Sequence, residues 1–256
     1  MRMATMNQFR SEDIDICYTD TGTGTPVMLV HGFTASSDMW SGFPEIEGLR
    51  IIKIDCRGHG ASDKPDQADR YGRHLVRDLY NLIHHLDLTQ VHLIGYSMGA
   101  EISLCFASSY PDCVRSLIVA GSGWSQQADA DNYNLLSQTL AETGSFADVL
   151  KSWSPDSTEQ EIAAINSLIG TQDPVVLAAV AGGMQDIVCL PAEALRACGF
   201  PTLGLAGEFD PERGNVERLQ DVFADFRMTV LPGADHMSAI ADPAFYRAIE
   251  SFLRSA

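Results

Sequence analysis

The sequence predicts an α/β domain: a mostly parallel central sheet with helices on both faces, interrupted once by an inserted helical cap. Three observations carry this reading. Short runs that are apolar throughout, the pattern of strands buried on both faces, recur along the chain. Stretches with helical apolar spacing separate most of them. Residues 125–195, by contrast, hold helical patches and no convincing strand.

Taken in order, residues 13–19 alternate, with Ile14, Ile16 and Tyr18 on one face and Asp13, Asp15 and Thr19 on the other, which predicts a half-exposed antiparallel edge strand. Buried strands are expected at 27–30, 49–54, 91–94, 117–120 and 202–206, and the final apolar run at 228–231 is read as one further strand. A helix is expected over 73–86, where Leu75, Val76, Leu79, Leu82, Ile83 and Leu86 share a face. Another runs from residue 98 to 110, until Pro111 stops it. The core is thus assigned to 1–124 and 196–256 and the cap to 125–195, with loops between cap helices expected near 154–156 and at Gly182-Gly183.

Composition narrows the function. The 256 residues are 45% hydrophobic and 20% charged, as in one soluble globular unit, and carry a net charge of −17. Such a surface repels phosphate backbones and anionic lipid, so neither nucleic acid nor membrane is an expected partner; a small-molecule substrate is. Acid excess with only three lysines fits a salt-tolerant or simply soluble surface. Six cysteines, none in a Cys-x-x-Cys pair, sit in apolar stretches as buried reduced thiols would. No leader-like apolar run follows a basic start and no stretch reaches 18 apolar residues, so a cytoplasmic location is the expectation. Gly22-Thr23-Gly24 precedes a strand rather than a helix and is not a dinucleotide fingerprint. No His, Cys or Asp cluster has zinc spacing, so neither metal nor cofactor is expected.

Residues 91–110 are the most informative: an apolar strand, then Gly95-Tyr96-Ser97-Met98-Gly99, then a helix of small and apolar residues. Gly-x-Ser-x-Gly at a strand-to-helix junction forces the serine onto a tight turn and projects Ser97 at a helix N-terminus, where the dipole favours developing negative charge. A plain serine N-cap is the bland alternative. Ser122, in Gly121-Ser122-Gly123, also follows a strand but lacks the flanking pattern.

A serine hydroxyl needs a base within hydrogen-bond reach. Of seven histidines, His92 lies in a strand, His74, His84 and His85 ride a helix, His59 sits in a glycine loop and His31 precedes a glycine turn. His236, after the last apolar run, stands on a loop at a strand's C-terminal end, where sites of open parallel sheets form. The carboxylate that orients such a base is sought at the same edge. Asp210 closes Gly207-Glu208-Phe209-Asp210 directly after the strand at 202–206; Glu208 is its rival, and Asp235 adjoins His236. A carboxylate partner raises the histidine pKa and burial lowers it, which places the ionisation around pH 6 to 7.

The order Ser, Asp, His with a strand-turn-helix elbow resembles the α/β-hydrolase superfamily over nearly the whole chain, from about Ile14 to Leu253. His31-Gly32-Phe33 matches that family's oxyanion loop, and the stretch from Asp55 to Asp63 matches its glycine-rich turn, read here as scaffolding. The resemblance implies a catalytic triad of Ser97, His236 and Asp210, with backbone N–H groups of Phe33 and Met98 facing the oxyanion. Phe33, Tyr96, Met98, Trp124 and Met237 flank these positions and are candidates for an apolar pocket wall or for ordinary core.

The superfamily hosts several reactions, so fold does not choose among them. Dehalogenases and epoxide hydrolases place an aspartate where this chain has Ser97. Menaquinone-pathway synthases share Gly-Tyr-Ser-Met-Gly but follow it with glycine and arginine, where this chain has Ala100 and Glu101. Residues 125–195 carry ten acidic residues against the single base Lys151, which disfavours dianions and CoA thioesters. The expectation is a serine hydrolase for a small, uncharged carboxylic ester or lactone. C–C bond hydrolysis, cofactor-free perhydrolysis and a small-ligand receptor with residual turnover remain open alternatives.

Overall fold

In the computed structural model, which describes residues 5–145, 147, 151, 158–160, 162–163 and 172–256, eight strands form one sheet. They are β1 (Met6–Ser11), β2 (Ile14–Gly22), β3 (Thr25–Val30), β4 (Leu49–Ile54), β5 (Val91–Tyr96), β6 (Val114–Ala120), β7 (Thr202–Gly207) and β8 (Phe226–Leu231). Their order across the sheet is β1-β2-β4-β3-β5-β6-β7-β8. The β1/β2 and β2/β4 pairs are antiparallel and every other pair is parallel.

The continuous apolar runs have a direct cause in this layering. Met28 and Val30 of β3 join one core cluster with Leu75 and Leu79 of helix α1 (Arg73–His85) and Ile102 and Phe106 of helix α2 (Met98–Ser109). Val27 and Leu29 point the other way, into a second cluster with Trp40 and with Ile249 and Phe252 of the C-terminal helix (Pro243–Leu253). Both faces are covered, so polar alternation has no place in the central strands. Each fully buried side chain of this size contributes roughly 1.5–3 kcal/mol.

Three expectations are corrected. Residues 13–19 are antiparallel but not an edge, because β1 covers β2 in the register Met6↔Thr19 to Ser11↔Ile14. The strand at 6–11 was invisible because its sequence is mostly polar; it is held by backbone pairing, by Phe9 against Tyr18 and His85, and by Ser11, which is buried while hydrogen-bonding Asp78. Gly182 and Gly183 are not a loop but lie inside helix α4 (Pro174–Val188), which follows α3 (Gln127–Thr143). A Cβ on Gly183 would stand 2.4 Å from Tyr71 Cβ, so the glycine serves close packing of α4 on the 68–72 turn. Finally, Cys189 is exposed and Cys113 half-buried, while the other four cysteines are buried; all six are unpaired.

Between β6 and β7 the described residues contain helices and no strand, and α3 packs on α4 through Leu136, Leu140, Leu177, Ala178 and Ala181. The loop expected near 154–156 lies outside the described residues. Among the described residues no helix is long and apolar enough to cross a membrane.

Two buried polar networks tie these layers together. Arg57, fully buried, makes a two-pronged pair with Asp78 of α1, Nε to Oδ2 and Nη2 to Oδ1 both at 2.7 Å, and donates Nη1 to the Arg70 carbonyl. Asp55 accepts from Ser37 N–H and Ala61 N–H and so closes the glycine-rich turn. The second network centres on Glu101 of α2, whose Oε2 accepts from Tyr133 of α3 at 2.5 Å and whose Oε1 accepts from Ser125 at 2.9 Å and Ser122 at 3.3 Å. Burial pushes the Glu101 carboxyl up to about 7 against the pull of these hydroxyls, and the charge of Glu212 adds to the rise.

Removing one partner of a buried ion pair strands the other in a low-dielectric interior. Asp78→Ala is therefore expected to lower unfolding stability by about 3–5 kcal/mol, measured by urea denaturation; a change below about 1 kcal/mol, the scale of an exposed pair, would contradict it. Glu101 gives a pH signature of known sign. Its folded-state pKa lies above the ordinary 4.5, so between pH 4.5 and about 7 the native state keeps a proton that the unfolded chain has released. Stability should fall as pH rises across that interval and level off above it. Glu101→Gln should remove a pH-dependent contribution on the order of 3 kcal/mol, visible as a flatter stability profile than that of the wild type.

Candidate active site

Ser97 sits between β5 and α2 with φ 54° and ψ −123°, a left-handed backbone that a serine adopts only under constraint. The two flanking glycines explain the constraint. A Cβ on Gly95 would lie 2.1 Å from the Gly99 carbonyl oxygen, and one on Gly99 would lie 2.2 Å from that of Val30. Helix α2 can therefore start directly against the end of β3. Ser97 N–H donates to the Ala120 carbonyl, which locks the elbow onto β6.

His236 arrives on the loop after β8, and its Nε2 lies 3.1 Å from Ser97 Oγ. Its Nδ1 is 3.1 Å from both Oδ1 and Oδ2 of Asp210, which follows β7. A carboxylate on Nδ1 requires the proton there, which leaves the Nε2 lone pair facing the serine. The Asp210 side chain is fully buried and is also held by Glu212 N–H at 2.9 Å, whereas the imidazole is partly open. Burial lowers the His236 pKa, but the Asp210 hydrogen bond and the charges of Asp210, Glu212 and Asp235 more than offset it, so the net shift is upward. Tyr96 O–H donates to the His236 carbonyl and steadies the loop that carries the ring.

The rival side chains have other partners. Glu208 accepts from Gly233 N–H, Asp235 accepts from Met237 N–H, Ser238 N–H and the Ser238 hydroxyl, and Ser122 is buried on Glu101. His31 Nε2 accepts from Cys56 N–H and its Nδ1 meets the Gly32 carbonyl. His59 is fully buried, and desolvation with the nearby His31 brings its pKa down to about 3. Both are thereby neutral supports beneath the loop after β3.

That loop faces the serine: a Cβ on Gly32 would stand 3.3 Å from Ser97 Cβ. Phe33, Ser97, Tyr96, His236 and Met237 all line one cavity of about 920 Å³. Met98 opens α2 with its side chain buried in the core and, against the expectation of a pocket wall, does not line the cavity. Trp124 is a correction. It is packed against the core with Nε1–H on the Leu190 carbonyl and does not line the cavity, because the chain turns after β6 toward the far end of α4. The sequence reading missed Gln172, Val176 and Leu177 at the start of α4, along with Lys64 and Ile240. No motif marks the α4 residues, whereas Gly58 and Gly60, read only as scaffold, also line the cavity.

Residues 25–154 match the family model described as alpha/beta hydrolase fold. A stretch of 121 residues is 38% identical to a protein of Bacillus subtilis (strain 168) named "Putative 2-succinyl-6-hydroxy-2,4-cyclohexadiene-1-carboxylate synthase"; it covers 46% of this chain and 44% of that relative. The match thus spans less than half of that relative's length. A solved hydrolase from Pseudomonas aeruginosa PA01 superposes with TM-score 0.82 at 21% identity over 98% of this chain and 99% of that one. A thermophilic esterase from Thermogutta terrifontis does so with TM-score 0.80 at 26% identity over 98% and 99%. With a family model covering half of its length and this sheet beneath it, the chain belongs to the alpha/beta hydrolase fold family.

Proposed function

We propose that this protein is a serine hydrolase that cleaves a small, uncharged carboxylic ester or lactone through an acyl-enzyme. The observation that carries the reading is the unbroken chain Asp210, His236, Ser97 with 3.1 Å at each step, opening on a cavity of about 920 Å³. In this reading Ser97 Oγ attacks the acyl carbon while its proton passes to His236 Nε2. Asp210 holds the ring in the right tautomer and stabilises the imidazolium. The oxyanion is met by the backbone N–H groups of Phe33 and Met98, with the positive end of the α2 dipole behind the latter. His236 then returns the proton to the leaving alkoxide, and the ester or lactone C–O bond breaks. Water, deprotonated by the same Nε2, releases the acid and restores Ser97.

Cavity charge supports an uncharged substrate. Lys64 lines the cavity with its ammonium already bound to the Gly60 and Ser62 carbonyls, and the Asp38 and Asp173 carboxylates line it as well. Phe33, Met39, Val176, Leu177, Met237 and Ile240 supply apolar wall. Glu101, at the position where a carboxylate-binding arginine would otherwise stand, is buried on Tyr133, Ser122 and Ser125 and offers no cation.

Ser97→Ala should lower kcat on p-nitrophenyl acetate and butyrate by about ten-thousand-fold or more, and wild-type rates in that variant would overturn the assignment. Sustained product release beyond one equivalent separates an enzyme from a receptor with single turnover. His236 must be neutral to accept the serine proton, and its pKa is raised above 6.5. The kcat/KM profile should therefore fall through a single ionisation on the acid side, with its midpoint above 6.5, and reach a plateau on the alkaline side. An acid limb centred below 6.5 would contradict the dominance of Asp210 over burial.

A further inference from the structure

Thr34 follows Phe33 in the loop after β3 and has φ 63°, the left-handed region, where a β-branched residue is an outlier. Such a conformation persists only when surrounding groups over-determine it. The base of the loop is well fixed: His31 takes Cys56 N–H, Ala35 N–H closes on the Gly32 carbonyl, and Ser37 N–H is held by Asp55. The crest is fixed from elsewhere. The side-chain amide of Gln172, 138 positions further along the chain, donates to the Thr34 carbonyl.

Gln172 stands on firm ground. It comes just before Asp173, whose carboxylate caps α4 by accepting Val175 N–H, and α4 is buried along most of its length. Gly183 brings that helix into contact with Tyr71 and Gly72, and Leu177 shares with Leu136 and Leu140 of α3 an apolar cluster against which Phe33 packs. Gln172, Val176 and Leu177 also line the cavity that holds Ser97. One packed helix start therefore builds part of the substrate wall and grips the Thr34–Ala35 peptide, two peptide units beyond the one that carries the Phe33 N–H.

We propose that Gln172 is a positioning residue of the oxyanion loop: by donating to the Thr34 carbonyl it holds the strained Phe33-Thr34 crest so that the Phe33 N–H points at the site where charge develops beside Ser97. The inference rests on the serine-hydrolase reading. It makes a residue outside every recognised motif responsible for transition-state stabilisation and not for substrate affinity. Gln172 touches neither Ser97 nor His236 by hydrogen bond, and its effect passes through Thr34.

The test compares wild type, Ser97→Ala, Gln172→Ala, Gln172→Glu, Thr34→Gly and the double variant Thr34→Gly/Gln172→Ala on p-nitrophenyl butyrate. Loss of a directly bonding oxyanion donor costs about a hundred-fold or more in kcat, so loss of a group that only orients one should cost about ten-fold, with KM within about two-fold. Gln172→Glu, which keeps size but cannot donate to a carbonyl, should lose as much. The affinity of a trifluoromethyl ketone, which forms a tetrahedral adduct, should drop by the same factor as kcat/KM, while inhibition by butyrate stays unchanged. Glycine takes φ 63° without strain, so in the Thr34→Gly background the Gln172→Ala penalty should shrink to about three-fold or less.

Full kcat in both Gln172 variants would overturn the inference and leave the hydrolase reading standing. So would a change confined to KM, which makes Gln172 plain pocket wall, or a penalty unchanged in the Thr34→Gly background. Activity retained by Ser97→Ala would overturn both.

Discussion

The geometry of the site depends on one close approach, that of the α2 N-terminus to the end of β3. Gly95 and Gly99 remove the two Cβ atoms that would collide with the Gly99 and Val30 carbonyls, and the helix drops onto the sheet by the room they leave. The strained turn at Ser97 follows, since the chain has no space to enter the helix more gradually. Gly32 and the loop after β3 then lie beside the serine because β3 and β5 are sheet neighbours. The strain is stabilised by what surrounds it, including the Ser97 N–H bond to Ala120 and the apolar burial of α2 on almost every side.

Sheet order completes the constellation. With β6, β7 and β8 stacked in parallel register beyond β5, the loops after β7 and β8 reach the same edge as the elbow. Gly207 allows the Ala234 carbonyl to approach within 2.4 Å of where its Cβ would be, which brings the Asp210 and His236 loops together. Tyr96, adjacent to the serine in sequence, reaches across to the His236 carbonyl, so nucleophile and base are coupled through backbone as well as through Oγ and Nε2.

A chain with net charge −17 must place its few cations and its buried acids with care. Arg57 is spent inside, on Asp78, where the two-pronged geometry compensates for lost hydration. Glu101 is buried without a cation and is stabilised by three hydroxyls instead. Around His236 the negative charges of Asp210, Glu212 and Asp235 all favour the protonated ring. The field that suits an imidazolium is thus built from the same acidic composition that defines the surface.

The sequence by itself determined the parts of this protein that rest on local sterics and burial. Five central strands, β3 to β7, were legible because both of their faces are covered, and the elbow was legible because glycines at 95 and 99 are what such a turn needs around Ser97. Ser97, His236 and Asp210 could be singled out from their places at strand ends, and the structure sets His236 3.1 Å from each of the other two. Tertiary structure decided what depends on partners distant in the chain. The polar strand β1 exists because β2 offers it a backbone edge, and Ser11 is buried because Asp78 waits across the layer. Gly182 and Gly183 look like a break in sequence but are packing residues of a helix. Trp124 leaves the site and Gln172 enters it, because cavity walls are set by where helices dock and not by proximity to a motif. Local sterics act over a few residues and leave a pattern in them; docking acts over more than a hundred positions, as from Thr34 to Gln172, and leaves none.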